Sequence, residues 1–240
     1  MNPLTTIKTL SVTFTETIAP QELECFRGAI VDKVGLDKEW FHNHNNAQER
    51  NSNYHYRYPF IQYHLSQGRP RMLFINEAID EARHFFAQSN WDLLLGERAY
   101  KSAIHELKAV QVSFGLLPDM RHYIVRRWIG LNSNNYPTYL ATESLGQRIA
   151  ILERILAGNV ISMANAFQYR FPERFQLHIT ELLDSRIIHY KGVALQAMDI
   201  RFSANVALPL GIALGRGGSL GYGRLTQPEK EGVGHPKKAI

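Results

Sequence analysis

The order of hydrophobic patterns in the first half of the chain is the feature that most limits its fold. Apolar side chains alternate with polar ones where a half-buried strand is expected, and recur every three or four positions where a helix is expected. The predicted elements are, in order, strand 10–15, helix 20–34, strands 58–65 and 71–75 around a turn at 66–68, helix 78–86 and strand 110–114. Strand, helix, strand, strand, helix, strand is the order of the ferredoxin-like fold.

A second, less regular copy of this order follows the turn residues Pro118 and Asp119. Its predicted elements are strand 123–131, helix 145–167, strands 175–180 and 198–203, and then a segment dense in glycine. The pattern predicts an α+β protein of two tandem ferredoxin-like (RRM-like) domains, at residues 1–117 and 118–240, with a C-terminal glycine-rich loop. Three large aromatic residues are expected in the core: Trp91, Trp128 and Phe167.

Composition narrows the class of protein. Of the 240 residues, 45% are hydrophobic and 20% charged, which is typical of a folded globular chain. The single cysteine, Cys25, excludes an internal disulfide framework and a multi-cysteine zinc site. No secretory signal is evident, and no apolar run reaches the roughly 18 residues of a membrane span, so we expect a cytoplasmic protein without a membrane partner. A net charge of +5 is too small to indicate a nucleic-acid partner by itself.

Six glycines crowd into residues 211–223, GIALGRGGSLGYG. Glycine allows a backbone to lie against a ligand. A dinucleotide fingerprint fails because Leu220 stands where a third glycine is required, and a P-loop fails because Arg224-Leu225 follows instead of Lys and Ser or Thr. Both nucleotide interpretations are therefore excluded, and a tight connection between two strands remains open.

An ordered set of short motifs runs through nearly the whole chain. It comprises FRG at 26–28, FHNH at 41–44, YPFIQY at 58–63, LAGNVIS at 156–162, and the glycine-rich run from Asp199 to Gly223. This set resembles the CRISPR repeat-processing endoribonucleases, and the 156–162 segment is similar to their subtype b. Tyr222 stands where that family more often has phenylalanine, which retains the aromatic face.

The resemblance implies a fold of two facing ferredoxin-like domains. It also implies a metal-independent endoribonuclease without a cofactor, which cleaves CRISPR repeat RNA in a precursor transcript. The expected partners are that precursor RNA and subunits of a CRISPR interference complex, and a homodimer is compatible with the family. Two alternatives stay open: a non-catalytic subunit that binds repeat RNA, and a ferredoxin-like protein that binds a small molecule.

The reaction implied by the resemblance uses the RNA 2′-hydroxyl as the nucleophile on the adjacent phosphate. It needs a base, an acid and positive charge near the phosphorane, and histidine suits the first two roles because its pKa is near 6.5. His42 and His44 lie where the family carries its catalytic histidine, and in an extended stretch their spacing points both rings to one side. Lys33 and Arg27 could supply charge.

Other interpretations of this histidine segment are open. A His-x-His pair can hold zinc if further ligands are nearby, and a loop rich in Asn and His can simply be solvated. Lys33 can be a solvated lysine, and Arg27 can pair near the helix end. Three residues at the far end of the loop are weaker catalytic candidates: Tyr54, His55 and Tyr56.

Residues that could bind RNA are basic, aromatic or glycine, because cations contact phosphates and aromatic rings stack on bases. Each arginine on a strand could equally belong to a solvated face. The predicted RNA-binding residues are Arg27, Arg69, Arg71, Arg126, Arg127, Gly215, Arg216, Gly217, Gly221, Tyr222 and Gly223.

Overall fold

The structure is a computed structural model that describes residues 4–42, 58–190 and 192–228. Its strands are β1 (Leu4–Phe14), β2 (Ile61–Ser66), β3 (Arg69–Ile75), β4 (Leu93–Leu95), β5 (Arg98–Tyr100), β6 (Ile104–Trp128), β7 (Leu177–Tyr190), β8 (Val193–Ala207) and β9 (Arg224–Thr226). Its helices are α1 (Leu23–Val34), α2 (Glu39–His42), α3 (Ala82–Phe86), α4 (Tyr136–Ala141) and α5 (Leu145–Ala166), with 3₁₀ turns at Pro20–Glu22, Asn76–Ile79 and Gly218–Leu220.

Seven of the strands form one antiparallel sheet. Its order is β2-β3-β1-β6-β8-β7, and β9 also pairs with β6, while β4 and β5 form a separate hairpin. Strand β6 is 25 residues long and belongs to both halves of the sheet, because its first part pairs with β1 as far as Gly115 and its second part pairs with β8 and β9. The boundary that we predict between residues 117 and 118 falls inside this strand.

Local sequence explains most of the element boundaries. The β2–β3 turn has positive φ at Gln67 and Gly68, which is the conformation that two-residue hairpins favour, and the hairpin expected there is confirmed. Helix α1 ends at Val34 because Gly35 takes φ of 102°. The helix expected at 78–86 is instead a 3₁₀ turn followed by the five-residue α3.

The helices cover the sheet and bury an aromatic core. The helix expected at 145–167 is confirmed as α5, which begins after Ser144, and the side chain of Ser144 accepts a hydrogen bond from the Gln147 N–H. Trp128 and Phe167 are buried, and Trp91 packs against the core, so all three are core residues as expected.

Phe167, at the C-terminal end of α5, joins the two halves of the core. Its ring contacts Tyr58 and Phe60, which directly precede β2, with centroids 5.7 and 6.2 Å apart. It also contacts Phe114 on β6 at 5.3 Å. All three partners belong to the N-terminal half, whereas Phe167 belongs to the C-terminal half. These edge-on contacts therefore pack the end of α5 against the N-terminal half.

Helix α5 has the length and mean hydropathy, 1.3, of a segment that could cross a membrane. Polar residues such as Asn159 interrupt the apolar sequence of this helix. It therefore contains no apolar run of membrane-spanning length, although its mean hydropathy is high. Composition alone is weak evidence for a span, since a core helix passes the same test. Here one side of α5, with Leu152, Leu156 and Val160, is buried in the core of the protein.

We expect Phe167→Ala to lower the free energy of unfolding by about 3–5 kcal/mol, because it empties a site surrounded by three aromatic rings. Ile161→Ala on the same helix is the matched control, since Ile161 is 46% exposed, and should cost less than about 1 kcal/mol. Urea unfolding followed by circular dichroism measures both. Equal losses in the two variants would show that Phe167 does not join the halves.

Candidate functional site

The glycine-rich segment, which we define as residues 211–223, folds back on itself between β8 and β9. Positive φ values at Gly215, Gly217, Gly221 and Gly223 make its turns. The Leu214 N–H donates to the Gly223 carbonyl at 2.7 Å, and the Gly223 N–H donates to the Arg126 carbonyl at 2.9 Å. A Cβ atom at Gly223 would overlap the Leu214 carbonyl oxygen, so the two ends of the loop approach too closely for a side chain.

Helix α5 supports the start of this loop. The indole N–H of Trp128 donates to Asn159 Oδ1 at 2.8 Å. Gly215 lies directly on this pair, because a Cβ atom there would be 2.7 Å from Asn159 Oδ1 and 3.0 Å from Trp128 Nε1. The 156–162 motif therefore contributes a side chain that shapes the glycine-rich segment.

A bulge at the end of β6 presents Arg127 to the loop. Arg127 has φ of 51°, and its N–H donates to Asp199 Oδ1 at 2.6 Å. The other carboxylate oxygen of Asp199 accepts from Arg126 Nη1 at 3.1 Å, which makes Asp199 the anchor of the bulge. The Arg127 guanidinium then lies over the Tyr222 ring, 4.3 Å from its centroid, in a cation–π contact.

Tyr190, at the end of β7, joins this group of side chains. Its ring meets the Tyr222 ring edge-on at 5.5 Å, and the Arg216 guanidinium lies 5.6 Å from its centroid. Burial raises the pKa of the Tyr190 hydroxyl, while the charges of Arg27 on α1 and Arg216 oppose this rise. The glycine-rich segment, β6 and the β7–β8 hairpin thus meet at one place. Helix α1 contacts the 3₁₀ turn at Gly218–Leu220 in this segment, and the charge of Arg27 acts on Tyr190 from there.

We call this group of side chains the Arg–Tyr cluster and define it as Arg27, Arg127, Tyr190, Arg216 and Tyr222. Four of its members were among the predicted RNA-binding residues, and Tyr190 was missed. Tyr190 reaches the cluster because β7 and β8 pair along their whole length. The sequence signal is a β-rich run that ends at Lys191-Gly192, but only the long-range register places the ring.

Three predicted RNA-binding arginines outside the Arg–Tyr cluster form hydrogen bonds or ion pairs within the protein. Arg71 donates to Thr13 Oγ1 and Glu106 Oε2, and Arg69 donates to the Thr15 carbonyl, so both are engaged at the β1–β3 side of the sheet. Arg126 is paired with Asp199.

The predicted catalytic residues are only partly described. Lys33 Nζ donates to Asn90 Oδ1 at 2.9 Å, and Asn90 is not a member of the Arg–Tyr cluster. His42 is the last residue of α2, and nothing is described of its side chain. The remaining candidates, His44, Tyr54, His55 and Tyr56, lie outside the described residues.

Strand β2 forms the floor under the far end of the glycine-rich segment. A Cβ atom at Gly221 would be 3.1 Å from His64 Cβ and 3.1 Å from the Tyr63 carbonyl oxygen. The Tyr63 hydroxyl lies 3.5 Å from the Phe41 carbonyl oxygen, one residue before His42. Tyr63 therefore touches the glycine-rich segment at its backbone and the end of α2 at its hydroxyl.

His64, on strand β2, is a buried histidine of this floor. Burial, together with the charges of Arg224 and Arg71, lowers the pKa of His64 to about 3. The imidazole is therefore neutral at working pH and contributes to the support of the loop, not to its charge.

Comparison with known protein families gives two matches. The Cas6b N-terminal domain model matches residues 5–113, and the Cas6b C-terminal domain model matches residues 115–228. The chain is also similar to the uncharacterized protein MJ0978 of Methanocaldococcus jannaschii, with 30% identity over 118 residues, which are 49% of this chain and 79% of that protein.

Solved structures with the same fold include two described as Cas6b. One is a crystal structure of Cas6b with 22% sequence identity and a TM-score of 0.76, and the match covers 93% of this chain and 100% of that chain. The other, a crystal structure of the CRISPR RNA processing endoribonuclease Cas6b, is 18% identical with the same coverage and a TM-score of 0.67. At these identities the likeness is one of fold.

We expect Gly223→Ala to destabilise the protein more than Gly192→Ala. Both glycines have positive φ, 72° and 76°, so each substitution carries the backbone cost of about 1–2 kcal/mol. Only Gly223 also brings a Cβ atom into another residue, which adds about 1–3 kcal/mol, whereas a Cβ at Gly192 meets nothing within 4 Å. Urea unfolding measures the difference, and equal losses would contradict the close approach of the two ends of the loop.

The stability of the protein should depend on pH through His64. Because its folded pKa, about 3, lies below the unfolded value of roughly 6.5, the unfolded state binds more protons in between. This contribution is full above pH 6.5 and should fall by about 2 kcal/mol between pH 7 and pH 5. Glutamine does not titrate, so the free energy of unfolding of His64→Gln should fall by about 2 kcal/mol less than that of wild type over this interval, as measured by urea unfolding. Parallel pH curves would show that His64 protonates in the folded state.

Proposed function

The chain belongs to the Cas6b family of CRISPR repeat-processing RNases, and from that premise we propose that it is an endoribonuclease that cleaves CRISPR repeat RNA in a precursor transcript to mature guide RNAs. The observation that carries the proposal is the Arg–Tyr cluster at the glycine-rich segment. Its three guanidinium groups suit phosphates and its tyrosine rings suit unpaired bases. One supporting relation is that Tyr63 contacts both Gly221 and the end of the helix that carries His42.

We propose that the two halves, 1–117 and 118–240, are each a ferredoxin-like unit built on β6. In the first half the sheet order is β6-β1-β3-β2, so the last strand lies beside the first. In the second half it is β9-β6-β8-β7, the same arrangement with the later part of β6 as first strand. The glycine-rich segment then stands where the second helix of such a unit would be.

In the proposed reaction, the 2′-hydroxyl of the nucleotide before the cut attacks the adjacent phosphate. His42 and His44 are the proposed base and acid: one takes the hydroxyl proton and the other protonates the departing 5′-oxygen. Arg27 of the Arg–Tyr cluster, and Lys33 if released from Asn90, are the proposed sources of charge for the phosphorane. The products are a 2′,3′-cyclic phosphate and a 5′-hydroxyl, and the chemistry needs no metal.

The proposed partners follow from this reaction. Precursor RNA with its repeat is the substrate, with the other predicted RNA-binding residues contacting it outside the Arg–Tyr cluster. Subunits of a CRISPR interference complex would receive the product in the cytoplasm, and the protein could act as a homodimer.

Incubating the protein with labelled repeat RNA in EDTA tests the proposal. We expect cleavage without divalent metal and no cleavage when the scissile 2′-hydroxyl is replaced by hydrogen. His42→Ala and His44→Ala should each slow single-turnover cleavage by roughly 10²–10⁴-fold. His178→Ala is the matched control, because His178 is an exposed histidine on β7, and should leave the rate unchanged.

Three outcomes would each contradict a different part of the proposal: the mechanism, the catalytic residues or the enzymatic activity itself. A requirement for metal, or cleavage of the deoxy substrate, would overturn the mechanism. Full activity in both histidine variants would move the catalytic groups elsewhere. Tight, salt-sensitive binding of repeat RNA with no product under any condition would show a non-catalytic RNA-binding subunit.

A further inference from the structure

Two side chains of the N-terminal half, the half-buried Tyr58 and the buried Gln62, hold one residue of the glycine-rich segment by both of its backbone polar groups. The Tyr58 hydroxyl donates to the Ala213 carbonyl oxygen at 2.6 Å. The Ala213 N–H donates to Gln62 Oε1 at 3.0 Å. Ala213 itself is 2% exposed, so neither of its backbone groups can turn to water instead.

The orientation of Gln62 is fixed by its other contacts. Its Nε2 donates to the Pro59 carbonyl at 3.0 Å and to the Tyr58 hydroxyl oxygen at 3.3 Å. Tyr58, Gln62 and Ala213 therefore form a closed network in which each hydrogen-bond donor has an acceptor. A buried network of this kind, fully satisfied, specifies one arrangement, and the loss of any member leaves a buried polar group without a partner.

The position of this network relates it to the proposed cleavage site. Ala213 precedes Gly215, the first glycine that requires a close approach, by two residues. Gln62 is the neighbour of Tyr63, whose hydroxyl lies 3.5 Å from the Phe41 carbonyl oxygen at the end of α2. Pro59 also packs under the loop, because a Cβ atom at Gly218 would be 3.5 Å from Pro59 Cγ.

We propose that Tyr58 and Gln62 are positioning residues that clamp the glycine-rich segment against the N-terminal half and so set its place relative to the end of α2. The inference rests on the proposed function for its effect on cleavage. Gln62 is 2% exposed, so it cannot bind RNA directly. Loss of the clamp should leave the Arg–Tyr cluster able to bind RNA but misplace the bound phosphate relative to the histidines, and small misplacements of reacting groups have large effects on rate.

The test uses Tyr58→Phe and Gln62→Met, which keep shape and remove hydrogen bonds. In single-turnover cleavage of labelled repeat RNA, each should lower the rate at saturating protein by at least about 10-fold, with the Kd for uncleaved RNA within about 3-fold of wild type. Tyr100→Phe is the matched control, because the buried Tyr100 hydroxyl donates to the Glu16 carbonyl at 3.0 Å, away from the loop. It should leave both quantities unchanged.

Amide hydrogen exchange provides a readout that does not depend on cleavage. In Tyr58→Phe and Gln62→Met, the amides of 212–223 should exchange at least about 10-fold faster than in wild type, and those of β1 should not. Tyr100→Phe should leave the loop amides unchanged.

The outcomes separate the clamp from the proposed function. If wild type binds RNA but does not cut it, the proposed function fails, while exchange still decides whether the clamp holds the loop. Unchanged exchange in both variants would overturn the clamp, whatever the activity. A Kd that rises in step with the fall in rate, or an equal slowing in Tyr100→Phe, would overturn the positioning role.

Discussion

The pairing of one long strand, β6, with neighbours from both halves of the chain is the constraint on which the rest of the structure depends. Because β1 uses its first part and β8 and β9 use its second part, no flexible linker separates the halves. Backbone hydrogen bonds within one sheet therefore hold together the two halves, one carrying α1 and the other the glycine-rich segment. The bulge at Arg126 and Arg127, anchored by the buried carboxylate of Asp199, turns the end of this strand toward the loop.

The glycine-rich segment obtains its shape from supports that lie far apart in the sequence. The β6 bulge holds its C-terminal end through the Gly223 N–H, and Asn159 of α5 lies against Gly215. Strand β2 supplies the floor at Gly221, and Gln62 on β2 accepts a hydrogen bond from the Ala213 N–H, while Tyr58 ahead of β2 donates to the Ala213 carbonyl. The candidate site is consequently a composite of both halves, and neither half alone contains the arrangement of its side chains.

Periodicity in the sequence was sufficient to predict β1, α1, β2, β3 and the long helix α5, but not the short helix α2 or the β4–β5 hairpin. It could not show that strand 110–114 and strand 123–131 belong to one strand, because Pro118 and Asp119 are turn residues in most contexts. In the structure these residues lie in an irregularity of the β6–β8 ladder between Leu116 and Arg121, and pairing resumes beyond it. Glycine spacing and the family motifs identified the loop and three members of the Arg–Tyr cluster, and a run of basic residues on a predicted strand identified the fourth, Arg127. Tyr190 was not predicted because its position depends on the register of the β7–β8 hairpin, and no sequence feature at Tyr190 itself indicates that register. Likewise, nothing local in the sequence shows that Lys33 pairs with Asn90 or Arg71 with Glu106.

Strand β7 forms one edge of the sheet, and its irregular register has a consequence for solubility. A straight outer strand of 14 residues would offer a row of free backbone groups on which another chain could add a strand. Here the ladder shifts between Ile179 and Glu181 and again between Leu182 and Asp184, and the side chain of Arg186 pairs with Asp184 beside the second shift. Kinks and charges of this kind oppose the addition of a further strand at this edge.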